Sequence, residues 1–412
     1  MYNSVGYDVS DMSRLKDNVE NLVNSCCDGK CSNVKHFHNI DVGDLLKCVH
    51  KLKMGKKESN GMFSDHIVQG SHRLHVLLTM LFNCMLVHGI SPDNMLLGTM
   101  VPLQKDKRKA RYLSDNYRAL TLGSTVGKLF DLIVIQQQSS VFDTSDLQFA
   151  FKEGLSTSMC TYLANETISY YTDNGSTVYT LLLDASKAFD RVNYCMLFNK
   201  LIDKCMCPLV IRLLLHMYTH QKLQVKWSDH MSDKFNVQNG VRQGGIMSPL
   251  LFGLYVDGLL QKLRSSGIGC TIGQTYCGAL GYADDLKLLA PTLSGLRKMI
   301  NICEDYAKQH DVIFNGAKSK LLIYNGNDND RQVLIKVCNQ PVPVCDDAKH
   351  VGHTVSVKNR FQLVNDATDT FNASVNMFMA QFGTLQSIVK NKLFNQYCCS
   401  FYGSQIWPLW HK

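Results

Sequence analysis

The stretch Gly278–Pro291, GALGYADDLKLLAP, decides the fold of this chain. One apolar run precedes two adjacent aspartates, and a second apolar run follows them. This pattern predicts two β-strands joined by a tight turn that carries Asp284 and Asp285. Adjacent carboxylates repel, and each raises the pKa of the other unless a cation neutralises both. The pair therefore indicates a metal site, with an ordinary solvated turn as the alternative.

A second apolar run ends in the same way. Val178–Asp184, VYTLLLD, predicts a buried strand that terminates at an aspartate. Carboxylates at the ends of two buried strands are suited to hard divalent cations, which prefer oxygen ligands. Pairs of Mg²⁺ ions about 3.5–4 Å apart promote in-line attack on phosphorus. Together the two runs predict phosphoryl transfer.

The composition is that of a globular protein with a basic excess. The 412 residues are 45% hydrophobic and 19% charged, which indicates about two or three folded domains. The net charge of +8 favours a polyanionic partner. Between residues 101 and 130, two aspartates stand against seven basic residues: Lys105, Lys107, Arg108, Lys109, Arg111, Arg118 and Lys128. This segment predicts contacts with phosphates, with a solvated loop as the alternative.

Targeting and cysteine patterns indicate an intracellular protein, nuclear or cytoplasmic, rather than a secreted one. Met1–Glu20 is polar and has no apolar core of a signal sequence. The 16 cysteines are scattered, which favours reduced thiols. Leu74–Ile90 is interrupted by polar residues and is shorter than the ~20 residues needed to cross a membrane. No standard zinc-finger spacing occurs in the cluster Cys26, Cys27, Cys31, His36 and His38.

The alternation of strand and helix patterns predicts an α+β or α/β fold. Residues 1–60 are polar, and we expect only short helical patches there, such as Val42–Lys53, in an N-terminal remnant or linker. A helix pattern follows from residue 61 and ends at Gly89. Ser124 and Ser248 are expected to begin two further helices.

Seven motifs follow one another in a fixed order: Asn116–Arg118, Gln148–Lys152 with Ser156–Thr157, Leu183–Asp190, Gly240–Gly245 with Ser248–Leu250, Tyr282–Asp285, Asn315 with Lys318, and Val351–Gly352. In this order they resemble the reverse transcriptase of non-LTR (LINE-type) retrotransposons, over roughly residues 74–357. The chain departs from the family pattern at three positions. Ala150 replaces a usual glycine, Lys152 a commoner arginine and Leu155 a usual basic residue.

The resemblance implies an α+β, right-hand polymerase fold. Residues 61–177 are then expected to form the fingers. Residues 178–343 are expected to form the palm, an antiparallel sheet with interleaved finger elements. Residues 344–412 are expected to begin a thumb that the sequence leaves incomplete.

The resemblance also assigns roles to single residues. Asp184, Asp284 and Asp285 resemble the ligands of two Mg²⁺ ions, with Mn²⁺ as an alternative metal. Lys318 resembles the lysine that protonates the leaving pyrophosphate, although a solvated lysine is the alternative. The remaining matches concern the nucleotide: Phe189 as the gate against a 2′-hydroxyl, Gln243 and Gly244 as contacts to nucleotide and template, and Arg118 and Lys152 as cations near the triphosphate. A core phenylalanine and plain surface charges are the alternatives.

The implied function is RNA-directed DNA polymerisation, with an RNA template, a DNA primer and deoxynucleotides as partners. A group II intron maturase is one rival. An inactive or domesticated copy that only binds RNA is the other. The residues before Leu74 show no acid/base and metal pattern of an endonuclease, so we expect the chain to extend a supplied primer rather than to create one. The sequence does not determine the oligomeric state.

Overall fold

The computed structural model describes residues 7–27, 37–58, 61–358 and 362–399. Cys31, His36 and the last 13 residues of the expected thumb, 400–412, lie outside these ranges. The chain divides into two units. The first unit comprises Met1–Thr144, Lys187–Tyr255 and His310–Val312, and the second comprises Ser145–Ser186, Val256–Gln309 and Ile313–Lys412.

Helices come before the first strand and after the last one, and helices and strands are interleaved between them. The helices are α1 (Val9–Cys27), α2 (Val42–Val49), α3 (Asp65–Val68), α4 (His72–His88), α5 (Asp93–Leu96), α6 (Thr125–Gln137), α7 (Thr157–Asp173), α8 (Tyr194–Asp203), α9 (Pro208–Thr219), α10 (Ser248–Ser265), α11 (Leu293–Gln309), α12 (Asp328–Arg331), α13 (Gln362–Phe382) and α14 (Ser387–Tyr397). The strands are β1 (Leu97–Gln104), β2 (Tyr117–Leu122), β3 (Val178–Leu183), β4 (Lys222–Trp227), β5 (His230–Met231), β6 (Phe235–Asn236), β7 (Thr271–Ile272), β8 (Thr275–Tyr276), β9 (Ala279–Tyr282), β10 (Asp285–Ala290), β11 (Lys320–Tyr324), β12 (Ile335–Val337), β13 (Gln340–Val342), β14 (Asp347–His350) and β15 (His353–Ser356).

The first unit combines a mixed sheet with helices. Its strands run in the order β2-β1-β4-β5, and β6 also pairs with β4. Strand β1 is antiparallel to β2 and parallel to β4.

Two helix ends in this unit lie where the sequence predicted them. The Ser124 side chain accepts a hydrogen bond from the Gly127 N–H at the start of α6, and Gly89 ends α4 in the left-handed conformation.

Helix α1 was not expected. We predicted only short helical patches before residue 61, and this prediction is wrong, because α1 runs for 19 residues. Its buried side chains are Met12, Leu15, Val19 and Val23. They recur at helical spacing and face α8 and α9, which α1 contacts. The polar residues between them concealed this narrow apolar stripe in the sequence.

The second unit is built on an antiparallel sheet with the order β11-β3-β10-β9. Strand β3 lies inside this sheet, and all six of its residues are buried. Helices α7 and α11 both contact β3. This mixture of helices and sheet confirms the α+β class. The short hairpin β14–β15 turns at Val351 and Gly352, both of which have positive φ.

Among the residues that the structure describes, none of the helices has the length and apolar composition that a membrane crossing requires.

Candidate active site

The two adjacent aspartates lie at a hairpin in the second unit, as predicted. Asp285 pairs with Tyr282 across β9 and β10, so Ala283 and Asp284 form a two-residue turn. Asp284 therefore occupies the turn itself, whereas Asp285 begins β10. Ala283 adopts φ 57, in the left-handed region that two-residue hairpins require at their first central position.

Asp184 lies at the same end of the sheet, directly after β3. The register of β3 and β10 pairs Leu183 with Leu286, so Asp184 and Asp285 are the next residues at the ends of two paired strands. The backbone of Asp184 is held on both sides. Its N–H donates to Ser319 Oγ at 3.1 Å, and its carbonyl accepts from the Asn315 N–H at 2.9 Å.

The negative charges of Asp184 and Asp284 act on Asp285. The pKa of Asp285 is raised to about 6, first by burial and then by the negative charges of Asp284 and Asp184. Such a half-buried group of oxygen ligands is the donor set that Mg²⁺ and Mn²⁺ prefer. The described residues contain no group of three or more His, Cys, Asp or Glu side chains already arranged to hold a metal ion. The fit therefore depends on donor chemistry and on the accumulated negative charge.

Two predicted cations belong to the second unit as well. Lys318 is exposed on the turn that holds Asp184, and its backbone N–H donates to Asn315 Oδ1 at 3.1 Å. The Lys152 ammonium donates to the Ser145 carbonyl at 2.5 Å. Lys318 thus lies on the segment that also positions Asp184, and Lys152 is engaged with the backbone of its own loop.

The predicted nucleotide gate lies in the first unit. The half-buried ring of Phe189 stacks on the buried Phe252, with ring centroids 4.3 Å apart and an interplanar angle of 19°. The Phe189 carbonyl accepts a hydrogen bond from the Val241 N–H at 2.8 Å. This contact joins Phe189 to the glycine-rich loop 240–245.

The same loop carries Gln243 and Gly244. The Gln243 side chain donates to Asp190 Oδ1 at 3.0 Å, and its carbonyl accepts from the Thr121 N–H of β2 at 2.7 Å. Gly244 has φ 108, and a Cβ at this position would lie 2.8 Å from the Thr121 carbonyl oxygen. Only glycine fits here. The structure therefore brings together Phe189, Gln243 and Gly244, and β2 also carries the exposed Arg118.

We predicted no role for Arg242, whose side chain ties this loop to two other segments of the first unit. Its Nε donates to Gln221 Oε1 at 2.8 Å, and its Nη2 donates to the Leu96 carbonyl at 3.1 Å. Burial raises the pKa of the nearby Asp131 to about 7, although the charge of Arg242 opposes this shift. The arginine was visible in the sequence only as one letter of the Gly240–Gly245 motif.

The basic loop, residues 105–111, is an exposed connection between β1 and β2. The buried Asn116 closes its base: Asn116 Oδ1 accepts from the Asp106 N–H at 3.0 Å, and Nδ2 donates to the Asp106 carbonyl at 2.9 Å. Lys107, Arg108 and Lys109 are exposed at the loop surface. Arg108 also pairs with Asp106 at 3.3 Å, which offsets part of the local positive charge.

Residues 104–358 match the family model described as Reverse transcriptase (RNA-dependent DNA polymerase). The chain is 29% identical over 227 residues to the "Retrovirus-related Pol polyprotein from type-1 retrotransposable element R2" of Nasonia vitripennis, covering 54% of this chain and 22% of the relative. It is 31% identical over 128 residues to the Pol polyprotein of type-2 element R2DM of Drosophila melanogaster, covering 31% and 12%.

A third relative covers more of the chain. The "Probable RNA-directed DNA polymerase from transposon X-element" of Drosophila melanogaster is 24% identical over 297 residues, covering 71% of this chain and 32% of the relative. The chain thus spans less than a third of the length of each of these relatives. The predicted likeness to non-LTR retrotransposon proteins is confirmed.

Proposed function

The chain belongs to the reverse transcriptase (RNA-dependent DNA polymerase) family, and we propose that it adds deoxynucleotides to the 3′-hydroxyl of a DNA primer on an RNA template. One observation carries this proposal. Asp184, Asp284 and Asp285 lie at one end of the second unit's sheet, close enough to raise the pKa of Asp285. In this family such carboxylates serve divalent metals.

Asp184, Asp284 and Asp285 would hold two Mg²⁺ ions, which would lower the pKa of the attacking hydroxyl and stabilise the negative charge that develops on the phosphate oxygens. The chain's own residues position this group. Ser319 and Asn315 fix the backbone of Asp184. Lys318, on the same turn, supplies a proton to the departing pyrophosphate.

The nucleotide is selected by residues of the first unit. Phe189, held against Phe252, excludes a 2′-hydroxyl by its bulk. Gln243 and Gly244 contact the nucleotide and template, since a loop that lacks side chains at its glycines permits close approach. Arg118 and Lys152 neutralise the triphosphate. In this assignment the sheet β11-β3-β10-β9 is the core of the palm, which spans residues 178–343. Residues 61–177 supply the fingers, and the segment from 344 onward begins the thumb.

Primer extension on an RNA template with Mg²⁺ tests the proposal. Asp184→Asn and Asp284→Asn should each abolish extension while RNA affinity stays within about twofold, because affinity depends mainly on phosphate contacts. Asp305→Asn is the matched control, since Asp305 is a 74% exposed carboxylate of the same unit. Extension by either active-site variant at the wild-type rate contradicts the metal assignment. A wild-type chain that binds RNA but never extends a primer would instead identify a binding protein.

A further inference from the structure

Gln148 makes an unusual contact with the aspartate hairpin. Its side chain is fully buried, and its amide oxygen accepts two backbone hydrogen bonds. One comes from the Ala283 N–H at 3.0 Å and the other from the Ala150 N–H at 3.1 Å. Ala283 is the turn residue directly before Asp284, so this amide reaches the backbone that carries both aspartates.

The Ala283 N–H requires an acceptor from outside the hairpin. Tyr282 and Asp285 pair with each other across the two-residue turn, which leaves the amide of Ala283 outside the ladder. Ala283 is also buried and has φ 57, a backbone conformation that is unfavourable for residues other than glycine. A buried N–H without a partner would favour another turn geometry. The Gln148 oxygen therefore stabilises this particular turn.

The backbone around Gln148 is docked on the same strand. The Phe149 N–H donates to the Gly281 carbonyl, and the Gly281 N–H donates to the Leu147 carbonyl, both at 2.8 Å. A Cβ at Gly281 would lie 3.2 Å from Gln148 Nε2 and 3.0 Å from Leu260 Cδ1. Glycine at 281 thus allows the amide to approach the turn.

The amide chemistry suits a neighbourhood of carboxylates. A carboxamide oxygen accepts two hydrogen bonds without adding a charge beside Asp184, Asp284 and Asp285. A glutamate would accept equally well but would add a fourth negative group. Packing alone would favour an apolar side chain of similar size. Within the described part of the chain, the Nε2 donor of Gln148 is buried without a hydrogen-bond partner, which is unfavourable.

We propose that Gln148 is a positioning residue for the aspartate hairpin. By holding the Ala283 amide, it fixes the direction in which Asp284 and Asp285 leave the turn. Its effect on polymerisation rests on the function proposed above, whereas its effect on the hairpin does not. The carboxylates act directly, and Gln148 acts through them.

The test compares Gln148→Met with Gln148→Glu by three measurements. In Gln148→Met, the amide hydrogen of Ala283 should exchange at least about tenfold faster. The Kd for Mn²⁺, measured by electron paramagnetic resonance, should rise about tenfold, and kcat for primer extension should fall about 10- to 100-fold with the dNTP KM within about twofold. Gln148→Glu should keep Ala283 protected. Its carboxylate oxygen can still accept from the Ala283 N–H, so this variant separates loss of the hydrogen bond from a change of side chain.

Gln138→Met is the control. Gln138 is also fully buried, and its Oε1 accepts from the Cys207 N–H at 3.1 Å in the first unit. This variant should leave Ala283 exchange and Mn²⁺ affinity unchanged. Unchanged exchange at Ala283 in Gln148→Met overturns the proposal, as does faster exchange with unaltered Mn²⁺ affinity. If Gln148→Met does not fold, Gln148→Asn, whose amide is one methylene shorter and should not reach Ala283, is measured in its place, and unchanged Ala283 exchange in that variant overturns the proposal. A wild-type chain that extends no primer refutes the proposed function, while exchange and Mn²⁺ binding still decide the role of Gln148.

Discussion

Asp285 and Lys287 lie two residues apart on β10 and therefore point to the same side of the second unit's sheet. Asp285 is half-buried, whereas Lys287 is fully buried, and Cys160 of α7 interacts electrostatically with both. Within the described residues the Lys287 ammonium has no hydrogen-bond partner, and burial lowers its pKa. The candidate metal site thus lies beside two buried ionisable groups, the Lys287 ammonium and the Cys160 thiol.

Asp285→Asn should stabilise the metal-free protein at neutral pH. The pKa of Asp285 rises from its ordinary 3.8 to about 6 on folding, so the folded state holds this proton more tightly than the unfolded state does. The resulting contribution to the free energy of unfolding is fully present below pH 3.8 and is lost as the pH rises through about 6. The variant should gain about 1–2 kcal/mol of unfolding free energy at pH 7.5, after allowance for solvent screening. The gain should vanish near pH 3.5. Urea denaturation in EDTA at both pH values measures this difference.

The same comparison of the wild type with Asp285→Asn should give a different result when Mg²⁺ is present. Saturating Mg²⁺ should stabilise the wild type and narrow or reverse its difference from Asp285→Asn, because a ligand that binds only the folded state adds to its stability. An equal stability of the two proteins in EDTA at pH 7.5 would show that the three carboxylates do not strain the apoprotein.

Lys287→Met should also stabilise the protein. The unfolded chain has a lysine pKa near 10.5 and the folded chain a lower one, so burial of this group disfavours folding at neutral pH. Replacing it with an apolar side chain of similar length should raise the free energy of unfolding by about 1–3 kcal/mol at pH 7. The gain should shrink as the pH approaches 10.5. Lys308→Met is the control, because Lys308 is 79% exposed; a gain of the same size there would assign the effect to general hydrophobicity.

The strands that carry the carboxylates were predictable because local pattern and tertiary environment agree. Val178–Leu183 is a largely apolar run, Leu286–Ala290 is apolar apart from Lys287, and both segments lie in strands at the interior of a sheet. Periodicity therefore located Asp184 and the hairpin correctly. The interactions that hold them were not predictable. Ser319 lies 135 residues from Asp184, and Gln148 lies 135 residues from Ala283.

The burial of polar residues was the second feature that could not be predicted from the sequence. Lys287 follows Asp285 by two positions, and nothing in the neighbouring sequence indicates that other segments cover that side of β10. The buried His350 of β14 lies close enough to Lys287 for the lysine charge to help lower the pKa of the histidine, after burial. Side chains from distant segments create this environment, so only the assembled second unit reveals it.

Phe189→Val should weaken discrimination against ribonucleotides. The Phe189 ring is fixed by stacking on Phe252, so its removal leaves space without disturbing the backbone contact to Val241. We expect the ratio of dNTP to NTP incorporation to fall by about 10-fold or more, since a pocket shape that excludes a group is worth several kcal/mol at most. Phe235→Val, at another half-buried phenylalanine of the first unit, is the control. An unchanged ratio in Phe189→Val would make this ring part of the core only.

Neutralising the basic loop should reduce the salt dependence of RNA binding. Lys107, Arg108 and Lys109 are exposed on the connection that Asn116 closes, so they are available to phosphates. Each phosphate contact contributes about 0.7 to the slope of log K against log salt for a single strand, and the triple glutamine variant should lose about 2 from that slope. Since Arg108 already pairs with Asp106, Lys107 and Lys109 should account for most of the loss.

The control for this loop lowers the net charge equally at another exposed site. Lys51, Lys53 and Lys56 are exposed in the same unit, and their triple glutamine variant carries the same change in charge. If the slope depends on local contacts, only the loop variant should flatten it. If it depends on the overall charge of +8, both variants should flatten it to the same extent. Fluorescence anisotropy of a labelled RNA over about 50–200 mM salt resolves the two outcomes. A wild-type slope in the loop variant would identify residues 105–111 as ordinary solvated surface.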